Sequence, residues 1–195
     1  DETQRDLAKG VVSICPQNWF NNPHIKEVRS YRFVIEQKTK FRAVSQVKQT
    51  NLAIELPHTI FPTFDSLIPK EADPAQLFSG LDLRDAYHSI RYLQFEEWVR
   101  TRYKPGVEEY YYVITYEEDG KVYRYNCLTF GLCDAPAFYT TVLQSVLTPH
   151  KDIANNYLDD ILIKGSGPSN HIDNVVAVVT TLLDNNLQIK LEKCQ

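Results

Sequence analysis

The residues best equipped for chemistry in this 195-residue chain are the adjacent acids Asp159 and Asp160, in the segment Tyr157-Leu158-Asp159-Asp160. Asn155-Asn156 precede them and the apolar run Ile161-Leu162-Ile163 follows. Two short β-prone segments meet at the acids, which predicts a tight hairpin with paired carboxylates at its tip. Like charges a few ångströms apart repel, so such a tip calls for a counter-charge, and a divalent cation is the usual one. Taken alone, an Asp-Asp pair reads more simply as a solvated turn. Three further segments shift that balance.

In Gly80-Leu81-Asp82-Leu83-Arg84-Asp85-Ala86-Tyr87-His88, Asp82 lies between two leucines on a predicted strand and so faces away from them. An acid in apolar surroundings needs a partner. In Leu128-Thr129-Phe130-Gly131-Leu132-Cys133-Asp134-Ala135-Pro136, Gly131 permits close backbone approach and Asp134 is a candidate helix cap with Pro136 in the first turn. Phe138, Val142, Leu143, Val146 and Leu147 then recur at helical spacing. The third segment, Leu187 to Cys194, carries Lys190 and Lys193.

Taken in order, LDLRDAY, FGLCDAP, YLDD and LEKC resemble the successive motifs of a reverse transcriptase palm, and the likeness runs from about Phe33 to Cys194. Phe130 in the second motif is similar to retrotransposon and pararetrovirus-like enzymes, so the resemblance points to the fingers-palm region of such a polyprotein. It implies an RNA-directed DNA polymerase, a nucleotidyltransferase that adds deoxynucleotides to a primer 3′ end. Phosphoryl transfer of this kind depends on positioning and charge neutralisation, which two metal ions roughly 3.5–4 Å apart supply. Asp82 and Asp159 are the expected bridging ligands, with Asp160 supporting the metal nearer the primer end. The metal would be Mg2+, two ions, with Mn2+ as a substitute.

The resemblance also gives substrate roles. Backbone N–H groups of Asp85 and Ala86 would face the triphosphate. Tyr87 matches the sugar gate that excludes a ribose 2′-hydroxyl, and Phe130 and Gly131 would flank the incoming nucleotide. Arg42 falls on the fingertip arginine, and either Lys38 or Lys40 on the accompanying lysine. Gln46 and Lys48 stand where the family often has Asp and Arg. Lys193 matches the general acid for the pyrophosphate leaving group, with Lys190 as its competitor. The implied partners are an RNA or DNA template with primer, a dNTP, and the remaining polyprotein domains (thumb and RNase H), which this chain lacks. The implied setting is intracellular, a cytoplasmic virus-like particle or the nucleus.

Local patterns place the elements that must position these residues. Phe33-Val34-Ile35 reads as a strand, 36–40 as a polar turn and Phe41 to Val47 as the return strand. Tyr110 to Tyr116 and Val122 to Leu128 read as a hairpin around Asp119-Gly120. Between them Arg91, Arg100, Arg102 and Lys104 interleave with Tyr92, Trp98, Tyr103 and Tyr110, a mixture suited to a nucleic-acid strand path or to a β-hairpin with snorkelling cations. Residues 57 to 74 read as a Pro-punctuated connector. A helix is predicted over about 169–186, capped by Ser169, with Ile172, Val175, Val176, Val179, Leu182 and Leu183 apolar. The order predicts an α+β fold: a polymerase palm of split β-α-β, ferredoxin-like form, with an antiparallel sheet and helices on one face, plus β-rich fingers. Fingers are expected over 1–80, with part of 91–128 also fingers-like, and palm over 81–195.

Composition sets the limits. At 43% hydrophobic the chain can build one good core or two small lobes. The net charge of −4 is unusual for a nucleic-acid protein and suits acids concentrated at a metal site. Cys15, Cys127, Cys133 and Cys194 show no metal-ligand spacing, and the five histidines form no triad. No apolar run approaches membrane-span length, so no membrane partner is expected. The rival class is a catalytically silent, reverse-transcriptase-like scaffold that binds nucleic acid or protein; all three acids being present argues for activity. An RNA-templated RNA polymerase would share the acids, but Tyr87 is bulky for its gate.

Overall fold

The aromatic and β-branched runs Tyr111–Glu118 (β6) and Lys121–Tyr125 (β7) make a hairpin whose two-residue turn is Asp119-Gly120. Both turn residues are left-handed, with φ of 51° and 69°, as this hairpin requires. The computed structural model describes residues 2–16, 18–21, 25–37, 40–53, 74–91 and 111–195. The chain divides into two units that each combine separate stretches of sequence: Asp1–Pro57 with Ile90–Ala135, and His58–Ser89 with Pro136–Gln195.

In the first unit, β1 (Val12–Ile14) pairs antiparallel with β7, and β2 (Ile25–Arg29) pairs parallel with β6, giving the sheet order β1-β7-β6-β2. Its core holds Val12, Val28, Val113 and Leu128 with the rings of Tyr116, Tyr123 and Tyr125. The Tyr116 and Tyr123 rings stack at 5.3 Å. A second hairpin joins β3 (Tyr31–Gln37) to β4 (Lys40–Gln46). Its strands extend to the Gln37–Lys40 pair, so the turn is tighter than the polar run 36–40 predicts.

Helix α1 (Glu2–Ala8) is tied down by Arg32 of β3. The Arg32 guanidinium, 8% exposed, donates to the Asp6 carboxylate and to the hydroxyls of Thr3 and Tyr116. It also lies 4.7 Å from the centre of the Tyr116 ring. A buried cation satisfied by carboxylate, hydroxyl and ring is costly to disturb.

In the second unit, β5 (Gln76–Asp82), β9 (Asp160–Ser166) and β8 (Ala154–Tyr157) form an antiparallel sheet in the order β5-β9-β8. Helix α3 (Ala135–Leu147) precedes β8, and α4 (Pro168–Asp184) packs on β9 and β5. Period-two alternation sorts the strands: Leu81, Ile161, Ile163, Ala154 and Asn156 are buried, while Asp160 and Tyr157 on the other face are exposed. Val178 and Leu182 of α4 are fully buried. Gly165 is where helix and sheet approach most closely, since a Cβ there would lie 2.5 Å from the His171 Cα. His171 Nε2 and Ser79 Oγ, 2.9 Å apart, add a hydrogen bond from α4 to β5.

Two local expectations need correction. The α4 cap is Gly167 (φ 75°), with Pro168 at the first helical position, and Ser169 lies inside the helix. Pro is pre-organised for that position and glycine tolerates the left-handed entry. The segment after α4 is no regular strand. It zips onto the outer edge of β5 through Arg84 N–H to Gln188 O, Lys190 N–H to Asp82 O, and a reciprocal pair between Gly80 and Gln195. A 3-10 turn at Leu191–Lys193 interrupts it.

The expected division after residue 80 falls within β5, which belongs whole to the second unit, and 111–135 belong to the first. The connector over 57–74 lies almost wholly outside the described residues, as do Arg100, Arg102, Lys104 and the aromatics between Tyr92 and Tyr110. Among the described residues no helix is long and apolar enough to cross a membrane.

Candidate active site

Strand register brings the distant acids together. Asp82, the last residue of β5, is directly opposite Asp160, the first residue of β9. Side chains of directly opposed residues share a face, with Cβ atoms about 4.5–5.5 Å apart. Asp159 immediately precedes Asp160 in the turn between β8 and β9. That turn is Leu158-Asp159, and Leu158 takes a left-handed φ of 54°, uncommon for a side chain of its size. Asn156 Nδ2 donates to Leu158 O at 3.3 Å and braces the bend. Leucine held in this conformation marks a site where the fold over-determines the backbone.

The charges respond to one another. Partial desolvation raises the Asp160 carboxyl above its ordinary range; Asp159 and Asp82 push it the same way, and Lys193 pulls it back. The Lys193 ammonium donates to Asp82 Oδ2 at 2.7 Å. That hydrogen bond is the main reason its affinity for the proton rises. The 3-10 turn bulges the chain so that Lys193 returns over the strand, whereas Lys190 gives Asp82 only its backbone N–H.

Below the acids the chain turns through Asp85 (φ 52°) into a 3-10 turn at Tyr87–Ser89. Ser89 N–H donates to the carbonyls of Asp85 and Ala86, which fixes this turn. The Tyr87 ring meets Tyr139 of α3 edge to face, centres 5.6 Å apart at 78°. Burial raises the Tyr87 phenol, and Asp159 adds to the shift. Tyr139, 1% exposed, is raised by burial first and then by Asp159, Tyr87 and Asp82. Sequence reasoning missed Tyr139, because it sits beside Phe138 in a helix that reads as ordinary core.

The chain as a whole is similar to known proteins. The family described as reverse transcriptase (RNA-dependent DNA polymerase) matches residues 23–195. The chain belongs to the reverse transcriptase family. It is 27% identical over 161 residues to the retrovirus-related Pol polyprotein from transposon 297 of Drosophila melanogaster, covering 80% of this chain and 13% of that polyprotein. It is 26% identical over 202 residues to the transposon Tf2-3 polyprotein of Schizosaccharomyces pombe, covering 100% of this chain and again 13% of the relative. Among solved structures, the foamy viral protease-reverse transcriptase in complex with RNA/DNA hybrid superposes with a TM-score of 0.74 at 16% identity, covering 98% of this chain and 23% of that one. The same viral protein in complex with dsDNA gives 0.73 at 17% identity, covering 99% and 36%. These superpositions establish the reverse transcriptase fold, in agreement with the α+β expectation.

The remaining residues singled out by the reverse transcriptase resemblance belong to the first unit. Phe130 and Gly131 precede α3 in a loop clamped by Asn51 of α2 (Lys48–Ala53). Asn51 Nδ2 donates to Gly131 O at 2.9 Å, and Cys133 N–H donates to Asn51 Oδ1 at 3.0 Å. Gly131 has φ 97°, and a Cβ there would lie 2.7 Å from the Ser45 carbonyl oxygen. Lys40 and Arg42 lie on β4, Arg42 opposite Ile35, and Lys38 lies outside the described residues. Arg91 donates to the carbonyls of Gly10 and Lys9.

Asp82, Asp159 and Asp160 are the residues that could contribute to holding a divalent metal. Among the described residues no group of three His, Cys, Asp or Glu side chains is placed to hold a metal ion. Magnesium does not need such a cage, because it is held through one or two carboxylates and completes its shell with waters and substrate phosphates. Asp82, Asp159 and Asp160 offer hard oxygen donors from two chain segments, and Lys193 already places a cation on one of them.

Proposed function

We propose that this chain is the fingers and palm part of an RNA-directed DNA polymerase that extends a primer on an RNA or DNA template with deoxynucleotides. The first unit corresponds to the fingers and the second to the palm. The observation that carries the reading is the Asp82–Asp160 pairing beside Asp159 on the open face of the β5-β9-β8 sheet. Three acids on a packed sheet with a raised proton affinity at Asp160 are electrostatically unfavourable alone, and divalent cations bound between them would relieve that repulsion.

Asp82, Asp159 and Asp160 would hold two magnesium ions, which when bound would polarise the primer hydroxyl and neutralise the leaving pyrophosphate. The chain's own residues do the rest. The strained Leu158 turn fixes Asp159 at the tip. Backbone N–H groups at Asp85 and Ala86 receive the triphosphate. Tyr87 fills the space of a ribose 2′-hydroxyl, so deoxynucleotides are preferred. Phe130 and Gly131 pack beside the nucleotide, and Arg42 with Lys38 or Lys40 neutralises its phosphates. Lys193, released from Asp82 as substrate enters, is the proton donor to pyrophosphate.

Primer extension on an RNA template, with dNTPs against NTPs, tests the reading. Asp82→Asn and Asp159→Asn should each lower the rate by about 10²-fold or more while leaving the circular-dichroism spectrum unchanged. Near-normal extension by a folded Asp159→Asn enzyme would show that the acids are structural. No extension by the wild type, with template still bound, would favour the silent scaffold.

A further inference from the structure

We infer that Tyr139 is the positioning residue of the sugar gate: its ring, fixed in α3, sets where the Tyr87 ring stands and thereby how strictly the enzyme prefers deoxyribose. The inference rests on the proposed role of Tyr87 as gate. The two rings are unequal partners. Tyr87 belongs to a short 3-10 turn and is partly exposed. Tyr139 is 1% exposed in the middle of a 13-residue helix. Between them the geometry is edge to face, 5.6 Å and 78°. Such a contact is directional, because the positive rim of one ring points at the negative face of the other. A buried ring on a helix therefore acts as a stop for the partly exposed ring that meets it.

The Tyr139 hydroxyl can be tested apart from its ring. It is buried and has no hydrogen-bond partner among the described residues. A buried phenol normally finds one, and leaving it without costs stability. Phenylalanine would meet the packing demand at lower cost. What the gate needs is the ring, which gives a sharp expectation for each substitution.

The experiment is single-nucleotide extension by the enzyme in its full natural length, comparing kcat/KM for dNTP with that for the matching rNTP. Tyr87→Val is the reference and should erase most of the preference. Tyr139→Leu should lower the dNTP-over-rNTP ratio by about 3- to 10-fold, the worth of one edge-to-face pair. Tyr139→Phe, which keeps the ring, should hold the ratio within about 2-fold. In the Tyr87→Val background, Tyr139→Leu should change the ratio no further, since it acts through the gate. If Tyr139→Leu does not fold, Tyr139→Met carries the same comparison at closer volume. An equal loss for both nucleotides with the ratio intact would reduce Tyr139 to a core residue and overturn the inference. So would a fall in the ratio that persists in the Tyr87→Val background. A Tyr87→Val enzyme with undiminished preference would instead remove the gate reading, and the inference with it.

Discussion

Replacing Gly131 with alanine tests the loop that presents Phe130. An alanine at φ 97° carries backbone strain of about 1–3 kcal/mol. Its Cβ would sit 2.7 Å from the Ser45 carbonyl oxygen, against the about 3.3 Å of a close carbon–oxygen contact, so something must move by about half an ångström. Ser45 is held in β4, and its backbone cannot yield cheaply. The loop is the softer party, but moving it pulls Gly131 O and Cys133 N from Asn51, which forfeits about 0.5–1.5 kcal/mol for each bond. The total is about 2–6 kcal/mol. Gly120→Ala is the control: it has a comparable φ of 69° with nothing within 4 Å of the new Cβ, and should cost only about 1–2 kcal/mol. Urea unfolding followed by near-ultraviolet circular dichroism reads both changes, because buried Tyr116, Tyr123 and Tyr125 report on the same unit. In an Asn51→Ala background the clamp is already open, so Gly131→Ala should cost at least about 1 kcal/mol less. A Gly131→Ala protein no less stable than Gly120→Ala, or strict additivity with Asn51→Ala, would refute the reasoning.

Arg32→Met should destabilise the first unit by about 3–5 kcal/mol, because it strands the Asp6 carboxylate, only 13% exposed, without its cation. Urea unfolding of Arg32→Met alone and of Arg32→Met with Asp6→Leu checks this, since the pair should recover most of the loss. Alkaline conditions should weaken the same unit. Burial pushes the Tyr116 phenol up to about 12, above the value of about 10 it has when unfolded. The folded state therefore holds its proton longer, and this contribution is intact below about pH 10 and lost as pH rises to 12. The midpoint of urea unfolding should fall across that window, and fall less in Tyr116→Phe.

What could be read from the sequence was local or chemically singular. The Asp119-Gly120 turn and the aromatic and β-branched runs around it announced the β6-β7 hairpin, and two apolar runs flanking 36–40 announced β3 and β4. The order of acids along the chain was enough to expect Asp82 and Asp159-Asp160 on one sheet. The parallel pairing of β2 with β6 left no local trace, since its register partners, such as Arg29 and Thr115, come from distant parts of the sequence. The same holds for Arg32, whose value depends on α1 and β6 arriving beside it. Ser169 looked like a cap because serine suits that position, but Pro168 could occupy the first helical turn and moved the start one residue earlier. The choice between Lys190 and Lys193 lay in a 3-10 bulge that two lysines three residues apart cannot signal.

The interleaving of the two units along the chain bears on how the protein is made. A single cleavage can leave one unit complete but never both, since one needs residues 1 to 135 and the other 58 to 195. On the ribosome, β5 emerges well before β9, its partner in the finished sheet. During that interval Leu77, Phe78 and Leu81 lie on a strand with no sheet to join, a template for pairing with neighbouring chains. Synthesis of this region thus passes through a sticky, half-built stage, and a host cell short of chaperones should yield aggregate before it yields folded protein.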